Sequence, residues 1–160
     1  MSAQEVIAES LTFSVKLMDR YCADLKPEEY LHRITPRGNC TAWLLGHLIL
    51  TDRRLLAFFG ADVPPLPEGF EKRFARDETA PFASDFGDTS ILLPMFDKHR
   101  ALLIDTVKRS SAEKLSEPLE KPNPLFSRLG QMANFMAQHA TLHAGQITMI
   151  RRSLGKPPIM

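Results

Sequence analysis

Two histidines, His139 and His143, stand four residues apart in the run HATLHAGQITMI. On a helix that spacing stacks two side chains on one face about 6 Å apart, close enough for two imidazoles to share one metal ion. Met132, Phe135, Met136, Gln146, Ile147 and Ile150 lie on or beside the same stripe, so the pair is expected to point toward a core rather than to water. Many surface helices share this spacing, and by itself it is weak evidence. A third candidate, His47, is flanked almost wholly by apolar residues in NCTAWLLGHL, where a polar ring needs a reason. Gly46 beside it would let a helix or ligand approach the backbone closely, tight helix packing being the plainer account. Three neutral imidazoles suit zinc, nickel, cobalt or copper and leave at least one coordination position open. An ion held that way lowers the pKa of a bound water or thiol, or polarises a carbonyl. Ala140 stands where a zinc peptidase of the HExxH type carries its glutamate base, which argues against proteolysis by that mechanism.

The remaining candidates are weaker. His32 lies in a polar connection. His99 lies in the charged stretch Asp97-Lys98-His99-Arg100, which is expected to face solvent. Cys22 and Cys40 show no CxxC spacing and suggest neither a disulfide framework nor a cysteine metal site. Cys40, near a helix start, is better read as a small packed residue than as an activated thiol. Trp43, one turn before His47, lines a pocket or fills the core. Gln146 and Gln138 are possible partners for ligands or substrate, surface solvation being the better reading of Gln138. Arg151 and Arg152 complement a helix dipole.

The elements that must position these residues are helices. Apolar spacing predicts a first helix over 3–21 and a second over 42–59, capped by Asn39 or Thr41 and stopped at Gly60. A third is expected over 90–110 with Pro94 in its first turn, and a fourth over 127–154, ended by Gly155 and Pro157-Pro158. Between the second and third, residues 61–89 carry Pro64, Pro65, Pro67, Gly69, Pro81 and Gly87 with no sustained period, which suggests a crossover of the bundle or a lid. The linker over 115–124 is broken by Pro118, Pro122 and Pro124, and no strand pattern is evident. The expected fold is therefore all-α: a single four-helix bundle domain over 1–160 with a long crossover between helices two and three.

Composition limits the partners. Of 160 residues, 44% are hydrophobic, so the chain should fold alone; 20 Lys and Arg against 19 Asp and Glu leave no positive field to gather nucleic acid or an anionic membrane. With no leader-like segment and no long uncharged apolar run, a cytoplasmic location is expected.

The runs WLLGHL and HATLHAGQITMIRRSLGKP resemble the DinB and YfiT-like superfamily of metal-binding four-helix proteins. The resemblance extends over essentially the whole chain. It implies that one histidine of helix two and two of helix four, here His47, His139 and His143, bind a divalent transition metal, commonly nickel or zinc. It further implies a homodimer acting on a small-molecule substrate, such as a low-molecular-weight thiol, since similar members are S-transferases and isomerases that use bacillithiol or mycothiol. The expected activity is that of a metal-dependent transferase or small-molecule hydrolase, the alternative being a non-catalytic metal-binding or stress-response homodimer.

Overall fold

The computed structural model describes residues 1–75 and 86–159. Four long helices dominate: α1 (Ala3–Cys22), α2 (Thr41–Phe58), α4 (Leu92–Arg109) and α6 (Leu129–Ser153). Shorter pieces are α3 (Phe70–Phe74), α5 (Ala112–Ser116) and 3-10 turns at Pro27–Leu31 and Thr89–Ile91. No helix among the described residues is long and apolar enough to cross a membrane.

Local sequence explains the limits of the long helices. Ser2 and Glu5 form a reciprocal capping box at the start of α1. Gly155 takes a positive φ of 76° just past α6, as a helix stop requires. The cap of α2 differs from expectation: Cys40 is the capping position and makes no side-chain cap bond, and the Asn39 amide is directed to Gln146 of α6.

α1 packs on α4 and α6, and α2 packs on the same two helices, so the order around the bundle is α1, α4, α2, α6. The four-helix architecture is thus as expected, and it sets α2 beside α6, the two helices that carry the candidate ligands. The interior has two apolar clusters, one around Met18, Ile49, Phe96 and Ala144, the other around Leu11, Leu55, Leu103 and Ala133. A polar layer lies between them: Ser14, Asp52 and Arg100 each sit on their helix between a residue of one cluster and a residue of the other, and all are buried.

Two expectations need correction. Part of the 61–89 crossover is helical, supplying α3 and the turn at 89–91, while residues 76–85 lie outside the described residues. The 115–124 linker contains a short helix, α5, and then the strand β1 (Pro118–Asn123), which pairs antiparallel with β2 (Phe126–Arg128). The prolines that argued against strand are tolerated because a two-stranded ribbon is all edge and need not receive a hydrogen bond at every residue. Leu119 is buried and fastens the ribbon to the bundle.

Candidate metal centre

His47, His139 and His143 converge where α2 faces α6. Each offers one ring nitrogen, and these three atoms lie within 4.8 Å of one another. The His139 and His143 rings are 4.5 Å apart between centroids, and the His47 ring stands nearly perpendicular to both at 5.2 and 5.5 Å. Two of the three are backed by aromatic rings one turn earlier on their own helix. Trp43 stacks on His47 at 4.8 Å with planes 7° apart, and Phe135 stacks on His139 at 5.5 Å and 14°. Trp43 therefore lines the site. The histidines themselves are half-buried, at the margin of the α6 core stripe rather than inside it.

Hydrogen bonds fix the tautomers. His143 Nδ1 lies 3.3 Å from Oε1 of Gln146, an oxygen that only accepts, so Nδ1 carries the proton and Nε2 presents a lone pair. Asn39 Nδ2 donates to the same oxygen over 3.4 Å and fixes the Gln146 amide. His139 Nε2 then donates to His143 Nε2 over 2.9 Å, leaving His139 Nδ1 buried without a partner. Burial, with His143, His47 and Arg100 adding to it, pushes His139 down to about 3, and burial also lowers His143 against the pull of Gln146. Both rings are neutral at neutral pH, the form a metal requires. Two convergent Nε2 atoms, an unpartnered ring nitrogen and a donor set of imidazoles fit a borderline divalent cation such as zinc or nickel.

The neighbouring crossover is tied to the site through Gly46. A Cβ at that position would lie 2.1 Å from Cδ1 of Phe74, so only glycine admits the α3 ring against α2 beside His47. Phe74 is buried and stacks on Phe86 at 5.3 Å. Between α2 and this segment runs a cleft of about 800 Å³ that includes His47, Thr51, Arg54, Val63, Glu71 and Phe74.

The other candidates fall elsewhere. His32 bonds Ser153 Oγ through Nε2 at 2.9 Å and belongs to the fastening of the α6 end. His99 is only 3% exposed, against the expectation that it faces solvent. Its Nδ1 donates to the Met95 carbonyl at 2.7 Å, and Arg53 reaches its Nε2 at 3.5 Å, so it is a satisfied core histidine. Both cysteines are buried; burial pushes the Cys22 thiol up to about 12 and raises Cys40 as well, which removes activated-thiol chemistry from either. Gln138 is exposed. Arg151, beyond its place near a helix terminus, is buried and donates to the Tyr21 carbonyl at 2.9 Å and to Asp24.

Sequence reasoning missed the polar centre of the bundle. Arg100 and Asp52 are fully buried and joined by an Nε–Oδ2 ion pair of 2.8 Å. Arg100 also donates to Ser14 Oγ at 3.2 Å and to the Met136 carbonyl at 3.1 Å, so one side chain of α4 grips α1, α2 and α6. Met136 precedes His139 by three residues and Asp52 follows His47 by five, so this grip fixes both helices that carry the histidine cluster.

A family model described as the DinB superfamily matches residues 11–147. A solved structure of a conserved protein from Enterococcus faecalis superposes with a TM-score of 0.75 at 20% identity, over 98% of this chain and 99% of that one. No curated protein matches the chain.

Proposed function

The chain belongs to the DinB superfamily, and from that premise we propose that His47, His139 and His143 hold one divalent transition-metal ion, nickel or zinc, at the centre of a metal-dependent enzyme. The reaction class we infer is thiol-dependent S-transfer or hydrolysis of a small molecule. The observation that carries this reading is the convergence of three ring nitrogens from two helices within 4.8 Å.

When bound, such an ion supplies Lewis-acid chemistry at a position the three imidazoles leave open. The chain's own residues prepare that position. Gln146 holds the His143 tautomer, and the stacked rings of Trp43 and Phe135 set the planes of His47 and His139 and keep water from their outer faces. The cleft beside His47 gives a small molecule a place to lie along α2.

Elemental analysis of the purified protein tests the reading. About one nickel or zinc ion per chain is expected in the wild type, and the His139→Ala variant should fall to about a tenth of that or less while remaining folded. Wild-type protein that binds no stoichiometric metal, or a variant with unchanged content, would sink it. Screening thiol conjugation and ester or amide hydrolysis with nickel, zinc and manganese then separates an enzyme from a protein that only stores or senses the ion.

A further inference from the structure

His47, Leu50, Thr51 and Arg54 occupy positions i, i+3, i+4 and i+7 of α2, one continuous helix face, and all four line the cleft beside the candidate metal centre. The polar groups along this strip differ in what they have left to offer. The Thr51 hydroxyl is spent on the Leu48 carbonyl of its own helix at 2.9 Å. Arg53, the next residue but one, is committed to the Pro64 carbonyl and to His99. Arg54, exposed at the mouth of the cleft, has no hydrogen-bond or ionic partner among the described residues, Glu71 on the facing α3 wall included. Leu50, Ala57, Ala61, Val63 and Phe74 supply apolar surface around it.

We propose that Arg54 is an anion subsite, and that the substrate of this cleft carries a carboxylate joined by a short apolar spacer to the group that reacts beside His47. The proposal rests on the metal-centre reading and extends it to substrate class. Seven residues of helix rise separate the Cα atoms of His47 and Arg54 by about 10 Å. Both side chains lean toward the N-terminus of the helix, so their separation along the strip is kept. The span left is that of a small molecule of about five to eight heavy atoms. At its far end a planar guanidinium offers paired N–H donors to a carboxylate, a match that a hydroxyl cannot reproduce. The Glu71 carboxylate on the opposite wall repels an anion placed near it, which directs the carboxylate to the α2 side of the cleft.

The test uses two thiols of equal length, 6-mercaptohexanoate and 6-mercaptohexan-1-ol, titrated calorimetrically into the cobalt(II)-loaded full chain. Wild type, Arg54→Gln and Arg54→Lys are compared, and cobalt content is measured on each preparation. The wild type should bind the carboxylate at least about tenfold more tightly than the alcohol. Arg54→Gln should abolish that preference with cobalt content and alcohol affinity unchanged, and Arg54→Lys should keep part of it. With cobalt in place, a wild type that shows no preference, or an Arg54→Gln variant that keeps it, overturns the Arg54 subsite alone. A wild type that retains no cobalt overturns the metal-centre reading and this proposal with it.

Discussion

The Asp52–Arg100 layer, built on α2 and α4 and reaching α1 and α6, and the histidine cluster, built on α2 and α6, treat their polar atoms in opposite ways. In the layer, an anion meets a cation at 2.8 Å, and the remaining donors of Arg100 are turned on a hydroxyl and a carbonyl of two further helices. The arrangement joins all four long helices, with one Asp52 oxygen and one Arg100 nitrogen left over. In the cluster, two ring nitrogens face each other at 2.9 Å, a third ring points at both, and burial holds His139 far below the ordinary histidine range. His139 and His143, both lowered by burial, offer neutral rings to a cation from outside. The contrast teaches that burial of polar atoms has two outcomes here: the layer ties helices together, whereas the cluster gathers ring nitrogens, two of them bonded to each other, that a cation entering between them would take over.

Breaking the layer should have the largest effect. Arg100→Met leaves the Asp52 charge buried and unpaired, and the expected loss is about 3–5 kcal/mol of unfolding free energy, read from urea denaturation. The double variant Asp52→Leu with Arg100→Met should recover most of that loss, because the cost lies in the orphaned charge rather than in the missing contact. A double variant as unstable as the single one would show instead that the pair is needed for packing.

A smaller effect sharpens the other side of the comparison. Gln146→Ala removes the acceptor that sets the His143 proton on Nδ1, so His143 can adopt either tautomer and its ring can turn. Loss of such a partner typically weakens metal affinity by about 10–100-fold, and unfolding free energy should scarcely move because Gln146 is exposed. Competition titration against a chelator of known affinity measures the first quantity and urea denaturation the second. Unchanged affinity would mean that Trp43 and Phe135 orient the cluster without Gln146.

The two clusters were unequally legible in the sequence, and the reason is helix phase. His139 and His143 announce themselves by a four-residue spacing within one element, and His47 by the apolar run around it. Asp52 and Arg100 are 48 residues apart and each stands in a charged string, so they resemble solvated surface. Phase would have exposed them: Asp52 lies four residues after Leu48 and three before Leu55, and Arg100 four after Phe96 and three before Leu103, each on a fully buried stripe. His99 was misjudged for the same reason. The role of Gly46 was hidden differently, since its partner Phe74 sits in a crossover with no period to read. The four long helices were legible because their apolar faces repeat over many turns, whereas the β1–β2 ribbon carries prolines and one buried anchor.

The finest distinction is between two carboxyls, Asp52 and Asp97, each pushed up to about 6 chiefly by burial. Asp52 answers to Arg100, which opposes the rise, whereas Asp97 on α4 answers to Asp19 on α1, a like charge and hydrogen-bond partner that adds to it. A carboxyl raised from 3.8 to about 6 on folding binds its proton more tightly in the native state. The stability it contributes is therefore complete below pH 3.8 and is lost as the pH rises through about 6. Asp97→Asn replaces the repelling charge with a neutral amide, so this variant should gain on the wild type as the pH climbs from 4 to 6, with the gap level above about 7. Asp52→Asn should follow the same trend from a lower starting point, because it removes a carboxyl that burial likewise raises to about 6 but also leaves the buried Arg100 cation without its anion. Urea midpoints collected between about pH 4.5 and 7.5 measure both trends. If Asp97→Asn were to track the wild type at every pH, burial beside Asp19 would not be raising Asp97, and that reading of the carboxyl would fall.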